Sequence, residues 1–191
     1  MCGDRNSILG LRTHINKLSE ALKPVSEELD ADAAVGLLLR IIDEDIQVLF
    51  VRRVENRADP WSGQMALPGG KRHVKDKNLN QTVIRETLEE TNINLLNSSR
   101  FLGVMEALRS SRRLQMRILP FVVLLEHDQP AKLNEKELAG FVWISLQELI
   151  KHKATTKFSF GNFPAYIVEN NVIWGLTYQI IEKLVQALES R

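Results

Sequence analysis

A single cysteine, Cys2, stands in the 191 residues. Alone it builds neither a disulfide framework nor a thiolate metal site. Long apolar runs are missing as well. The longest, such as Ile118 to Leu125, are far too short to cross a bilayer as a helix. The first residues, Met-Cys-Gly-Asp-Arg-Asn, hold no apolar signal core. Charge of one sign is also lacking. The formal net charge is +1, so no global field favours nucleic acid or an anionic membrane. Internal repeats, low-complexity tracts and long linkers are absent, and His14, His73, His127 and His152 show no metal-ligand spacing. These absences leave a soluble, cytoplasmic protein as the expectation, with neither membrane nor nucleic acid as a partner. Apolar residues at 44% and charged residues at 26% match an ordinary globular chain, long enough for one domain over 1–191 with a substantial core.

The pattern along the chain is mixed. Ile8, Leu11, Ile15, Leu18 and Leu22 recur in steps of three and four, which predicts a helix over 7–22, capped by Ser7 and closed before Pro24. Its apolar face can cover the core or meet a second subunit, so both a monomer and a homodimer are open. Ala33 to Ile42 and Ile46 to Val51 are apolar runs joined by Asp43-Glu44-Asp45, a predicted hairpin of buried strands. Glu55 to Leu67 reads as a loop that ends on Pro68-Gly69-Gly70. A helix is predicted over 80–91, capped by Asn78 or Asn80 and ended by Asn92 in a left-handed conformation. On its wheel Ile84, Leu88 and Thr91 fall on one side and Glu86, Glu89 and Glu90 on the other. Strands are expected over 101–108, 116–125 and 141–144, then a helical turn over 146–150. A hairpin about Asn170-Asn171 and a last amphipathic helix over 176–188 follow. Hairpins interleaved with helices indicate an α+β or α/β/α arrangement.

Chemistry concentrates in Arg85-Glu86-Thr87-Leu88-Glu89-Glu90. Carboxylates at i, i+3 and i+4 share one helix face and repel one another. A hard divalent cation relieves that repulsion, and carboxylate oxygens suit Mg²⁺ or Mn²⁺. Hydrolysis at a phosphate is the natural work of such a site.

The segment Gly70 to Ile93 resembles the Nudix box, G-x5-E-x7-R-E-U-x-E-E-x-G-U with U aliphatic. It matches at Arg85, Glu86, Glu89, Glu90 and Ile93. Gly70 lies one residue further from Arg85 than in that pattern, Lys77 stands where the first glutamate is expected with Asp76 beside it, and Thr87 and Asn92 replace the aliphatic and glycine positions. The longer stretch from Asp59 to Arg72, with Asp76 and Thr82, is similar to the coenzyme A pyrophosphatase-like branch. Arg52 and Arg57 have the spacing of that branch's arginine pair, while Phe50 sits where threonine is expected.

The resemblance implies a Nudix-type α/β/α sandwich with a mixed sheet. It also implies Mg²⁺-dependent cleavage (Mn²⁺ possible) of a diphosphate linkage in a small nucleoside diphosphate derivative, coenzyme A or a CoA ester first. ADP-ribose or nucleoside triphosphates are the alternative substrates, and a non-catalytic nucleotide-binding module is an alternative of another class. An isoprenoid diphosphate isomerase needs an active-site cysteine, for which Cys2 is poorly placed. The implied metal set is Glu86, Glu89, Glu90 and Gly70, with Asp76 a possible helper. Glu89, Glu90, Arg85 and Glu137 are the catalytic candidates, with Arg85 orienting Glu89 and Glu135 a second choice beside Glu137. Arg52, Arg57, Gly69 and Lys71 are substrate-binding candidates, with Arg53 in the same group of arginines. Salt-bridged or solvated surface roles are the alternative for the arginines. Trp61, Phe158 and Phe160 can stack on a base or belong to the core.

Overall fold

The computed structural model describes residues 4–26, 28–55, 62–110 and 115–189. Helix α1 (Asp4–Ala21) comes first, followed by the hairpin β1 (Ala33–Ile42) and β2 (Asp45–Arg53). Asp43 and Glu44 take φ of 47° and 64° at its tip, the left-handed pair that a tight hairpin turn requires. Next come β3 (Met65–Ala66), β4 (Gly69–Lys71), α2 (Leu79–Thr91), β5 (Ser99–Val104), β6 (Leu108–Arg109), β7 (Arg117–Leu125) and β8 (Leu138–Ser145). The chain ends with α3 (Leu146–Lys151), β9 (Lys153–Phe158), β10 (Gly161–Val168), β11 (Asn171–Trp174) and α4 (Gly175–Glu189).

The main sheet has the order β3-β2-β1-β7-β5, with β4 on β1, β6 on β7 and β8 on β2. The β1–β7 pair is parallel and its neighbours are antiparallel, which makes the sheet mixed. Strand periodicity divides the core between two faces. Leu37, Leu39, Val48, Phe50, Val122 and Leu124 face a cluster completed by Ile15 and Leu18 of α1 and Ile180, Ile181 and Leu184 of α4. Leu38, Leu49, Phe121 and Val123 face the other way, onto Leu79 and Val83 of α2. The result is the expected α/β/α sandwich. The apolar face of α1 covers the sheet through Ile15 and Leu18, 1% and 0% exposed.

A smaller antiparallel sheet, β11-β10-β9, rests on α4. Tyr166 packs against Tyr178, the rings tilted and 4.9 Å apart, and donates its hydroxyl to Glu182, which Lys153 also holds at 2.7 Å.

Several expectations need correction. Helix α1 begins before Ser7, so Ser7 lies inside it and cannot cap it. The segment read as a loop contains β3, and Gly69-Gly70 lie in a strand rather than a free turn. The strand expected over 101–108 stops at Val104 and resumes at Leu108. Strand β9 was not expected; its residues are mostly exposed and polar, so no apolar alternation announces it. Among the described residues no helix is long and apolar enough to cross a membrane.

Candidate functional site

Local chemistry fixes α2. The Asn78 side chain accepts the Gln81 N–H at 3.0 Å, and Asn92, at φ 59°, closes the last turn by donating its N–H to Leu88. This left-handed cap does the work of the glycine in the box pattern. The wheel separates the two sets of residues but does not show which side turns inward. Leu88 is 41% exposed, whereas Glu90 is 2% exposed, among Leu79, Thr82, Val83, Thr87 and Thr91. The inward face is set by β1 and β4 above it, not by the most apolar residues.

Arg85 ties the outer side of α2 together. Its Nε and Nη2 donate to both oxygens of Asp76 at 3.0 and 2.8 Å, a two-pronged fit of guanidinium to carboxylate. Its Nη1 donates to Glu86 at 2.8 Å and to Glu89 at 3.1 Å. Asp76 also accepts the Thr82 hydroxyl at 3.0 Å and the His73 N–H at 2.9 Å. Arg85, with these donors, holds the Asp76 carboxyl well below the usual carboxylate range despite burial. Asp76 is therefore the main partner of Arg85; it lies six residues beyond Gly70, where the box pattern counted from the glycine, rather than back from Arg85, has its first acid. Its oxygens are committed to protein donors, which removes it as a helper for a metal.

The inner side of α2 looks into a cavity of about 340 Å³. One wall carries Gly69, Gly70, Lys71, Glu86 and Glu90, with Arg53 and Glu137 beside them; Met65, Leu67, Met116, Ile118, Leu176 and Ile180 give it apolar surface. Gly69 donates its N–H to Glu90 at 2.9 Å. Gly69 sits at φ 144°, and a Cβ there would lie 2.3 Å from the Ala34 carbonyl oxygen. At Gly70 a Cβ would lie 2.6 Å from the Glu86 carboxyl carbon. The glycine pair thus lets a strand pass between β1 and two carboxylates. Burial pushes Glu90 up to about 8, with Glu86 and Glu137 adding repulsion. Burial also raises Glu86, against the pull of Arg85, with Glu89 and Glu137 adding to the rise.

Other expected residues are dispersed. Glu89 is turned to Arg85, its side chain 55% exposed, and is not part of the cavity wall. Arg52 leaves the glutamates and donates to the Asn170 carbonyl at 3.3 Å and Asn171 Oδ1 at 2.8 Å, while its neighbour Arg53 borders the cavity. Glu137 reaches the cavity and accepts from Asn134 at 3.2 Å; Glu135 is exposed and does not reach it. Arg57 and Trp61 lie outside the described residues. Among the described residues no three acidic, histidine or cysteine side chains converge as a ready metal cluster. Of the expected trio, Glu86 and Glu90 line the cavity, and Glu89 is joined to Glu86 through a shared Arg85 Nη1. What remains is chemically suited to a divalent cation: Glu86, Glu90 and Glu137 offer hard oxygen donors to one cavity, and burial raises the first two although Arg85 pairs with Glu86 and Arg53 attracts Glu90. Residues missed from sequence include Met116 and Leu176 in the cavity wall, and Trp174 at its edge. No local signal marks them, since distant strands and the start of α4 bring them together.

The model of the NUDIX domain family matches residues 31–165. A Yersinia enterocolitica protein named "Uncharacterized Nudix hydrolase NudL" is 30% identical over 162 residues, covering 79% of this chain and 79% of that protein. Its Yersinia pestis counterpart is 32% identical over 157 residues, covering 79% and 77%. An uncharacterised Schizosaccharomyces pombe protein is 36% identical over 115 residues; the match spans 58% of this chain but only 35% of that longer protein. Among solved structures, the NUDIX domain of Shewanella oneidensis NrtR, crystallised with ADP-ribose, is similar with a TM-score of 0.53 at 20% identity, covering 86% of this chain and 93% of that one. A Caenorhabditis elegans Ap4A hydrolase is similar with a TM-score of 0.51 at 21% identity, covering 62% and 83%. At these identities the structural likeness speaks for the fold alone.

Proposed function

The chain belongs to the NUDIX domain family, as a pyrophosphohydrolase acting on nucleoside diphosphate derivatives, and from that premise we propose that its substrate is coenzyme A or a related CoA ester, cleaved at the diphosphate. The observation that carries this reading is the cavity itself. Acidic Glu86, Glu90 and Glu137 share it with basic Arg53 and Lys71 and with a large apolar wall. A compact charged diphosphate suits the first part, and a long, weakly polar thiol arm suits the second. The likeness of the Asp59 to Arg72 stretch to the coenzyme A branch supports the same choice.

In this reading Glu86 and Glu90 hold Mg²⁺ or Mn²⁺, with Glu137 and Gly70 as further donors. When bound, the cation offsets charge on the diphosphate and acidifies the attacking water. Arg53 and Lys71 hold the phosphate oxygens. The first turn of α4, Gly175 to Thr177, borders the same cavity and adds the partial positive charge of a helix N-terminus. Gly69 fixes Glu90 through its N–H. Glu137, at the exposed rim, takes the proton from water as the phosphorus is attacked. Arg85 acts through others: it positions Glu86 and restrains Glu89.

The test is a screen of coenzyme A, acyl-CoA, ADP-ribose and nucleoside triphosphates with Mg²⁺ and with Mn²⁺, products identified by mass. Coenzyme A should yield phosphopantetheine and an adenosine bisphosphate. Consumption of ADP-ribose or a triphosphate with coenzyme A left intact would reassign the substrate. Saturable binding without turnover of any compound would point to the non-catalytic reading.

A further inference from the structure

A second cavity, of about 320 Å³, adjoins the first and shares Gln64, Met65 and Trp174 with it. One side is aromatic. Phe158 and Phe160 stack nearly parallel, at 5.3 Å between centroids and 3° between planes. Trp174 lies 4.4 Å from Phe158, and Phe163 lies 5.6 Å from Trp174. The register of the small sheet explains the grouping. Phe163 pairs with Thr156 and Trp174 with Ala165, so these residues and Phe158 occupy one face. Tyr166 and Ile173, on the other face, enter the core. The small sheet thus has its packing face elsewhere, yet three rings, Phe158, Phe160 and Trp174, line an open cavity with Phe163 packed against them, and Phe160 is 60% exposed.

The rest of the cavity is polar. Arg52, Gln64 and Thr156 line it with the rings. Arg52 is held in place by Asn170 and Asn171 at the turn before β11. An alkyl chain would cover the rings but offer no hydrogen bond to the polar groups beside them. A nucleobase meets both demands: its face stacks on an aromatic ring, and its edge hydrogen-bonds to polar groups. We infer that this aromatic ledge on β9–β11, with Arg52, is the subsite for the base of the substrate.

The ledge lies next to the glutamate cavity, and its assignment to the base end rests on the diphosphate reading of that cavity. The substrate then lies across both cavities, its base on Phe160 and Phe158, its diphosphate beside Glu86 and Glu90, and its remaining arm along the apolar wall. Arg52 serves base recognition, and the phosphate role falls to Arg53.

The test uses adenosine 5′-monophosphate and ribose 5-phosphate as probes, titrated calorimetrically against the metal-free full chain. Wild type should bind the nucleotide at least tenfold more tightly than the sugar phosphate. Phe160→Ala should weaken the nucleotide about tenfold and leave the sugar phosphate unchanged. Phe160→Tyr, which keeps the ring, should retain affinity. With a hydrolysed diphosphate substrate, Phe160→Ala should raise KM and leave kcat unchanged. Equal binding of the two probes by wild type, or unchanged nucleotide affinity in Phe160→Ala, would overturn the assignment. Because the titration needs no turnover, the base subsite stands if nucleotide binding shows this pattern while the substrate screen is negative. In that case it is the hydrolytic reading that falls.

Discussion

Asp76 and Glu90 sit at the two sides of one helix, and both are buried, at 7% and 2% exposed. Their proton affinities nevertheless move in opposite directions. Asp76 receives the guanidinium of Arg85, a hydroxyl and a backbone N–H, and stays ionised well below the usual range. Glu90 receives one backbone N–H, faces Glu86 and Glu137, and is pushed up to about 8. Burial is the largest cause of the rise at Glu90, while at Asp76 the Arg85 guanidinium outweighs it, so the state of a carboxylate follows from burial set against its donors and positive charge. The Asp76 side is complete within the protein, so its work is to hold α2 and its neighbouring loop. The Glu90 side is left short of positive charge in a cavity open to a ligand, which is where a cation belongs.

The sharpest way to break this comparison is to neutralise each side. Glu90→Gln or Glu86→Gln should lower turnover on the order of 10²–10⁴-fold with the fold intact, as steady-state kinetics and circular dichroism would show. Asp76→Asn should do the reverse. It should cost about 2–4 kcal/mol in a denaturant titration, since Arg85 loses its charged partner, while turnover per folded molecule falls far less than in Glu90→Gln.

The pH dependence of the metal-free protein should separate the two sides again. Glu90 has its folded value raised from 4.5 to about 8, so the folded state binds the proton more tightly than the unfolded one. Stability from this group is full below about 4.5 and is lost as pH rises toward 8, by at most ~1.4 kcal/mol per pH unit. Asp76 is depressed, so its contribution is present above its ordinary 3.8 and lost as pH falls below that. Melting temperature against pH should therefore lose the decline between about pH 4.5 and 8 in Glu90→Gln and the decline below about pH 3.8 in Asp76→Asn. The smallest effect is expected at Glu89. It is exposed and tied only to Arg85 among the described contacts, so Glu89→Gln should reduce turnover by only about tenfold, as parallel assays with Glu90→Gln would show.

Much of this arrangement is legible in the sequence where the cause is local. The β1–β2 hairpin follows from two apolar runs and an acidic turn, and α2 from Asn78, Asn92 and the residues between. The carboxylate spacing points to a cation and to hydrolysis at a phosphate, and the resemblance of the surrounding segment to the Nudix box implies the diphosphate. The rest depends on contacts distant in the chain. Gly69 and Gly70 carry no side chains to advertise a strand, yet pairing with β1 makes them one. Leu88 turns outward and Glu90 inward because packing on β1 and β4, not apolarity, sets the inward face of α2. Arg52 and Arg53 are adjacent in sequence, and only the shape of β2 and the small sheet sends them to different cavities.

The claim at the centre is that the pair of half-buried Glu86 and buried Glu90 is completed by a divalent cation. A calorimetric titration of Mg²⁺ into metal-free wild type and Glu90→Gln at pH 7, repeated in two buffers of different ionisation enthalpy, tests it most directly. Wild type should bind the cation saturably and release protons as it does so, because Glu90 must ionise, and Glu90→Gln should lose both the binding and the release. No Mg²⁺ uptake by wild type, or equal affinity in Glu90→Gln, would contradict it.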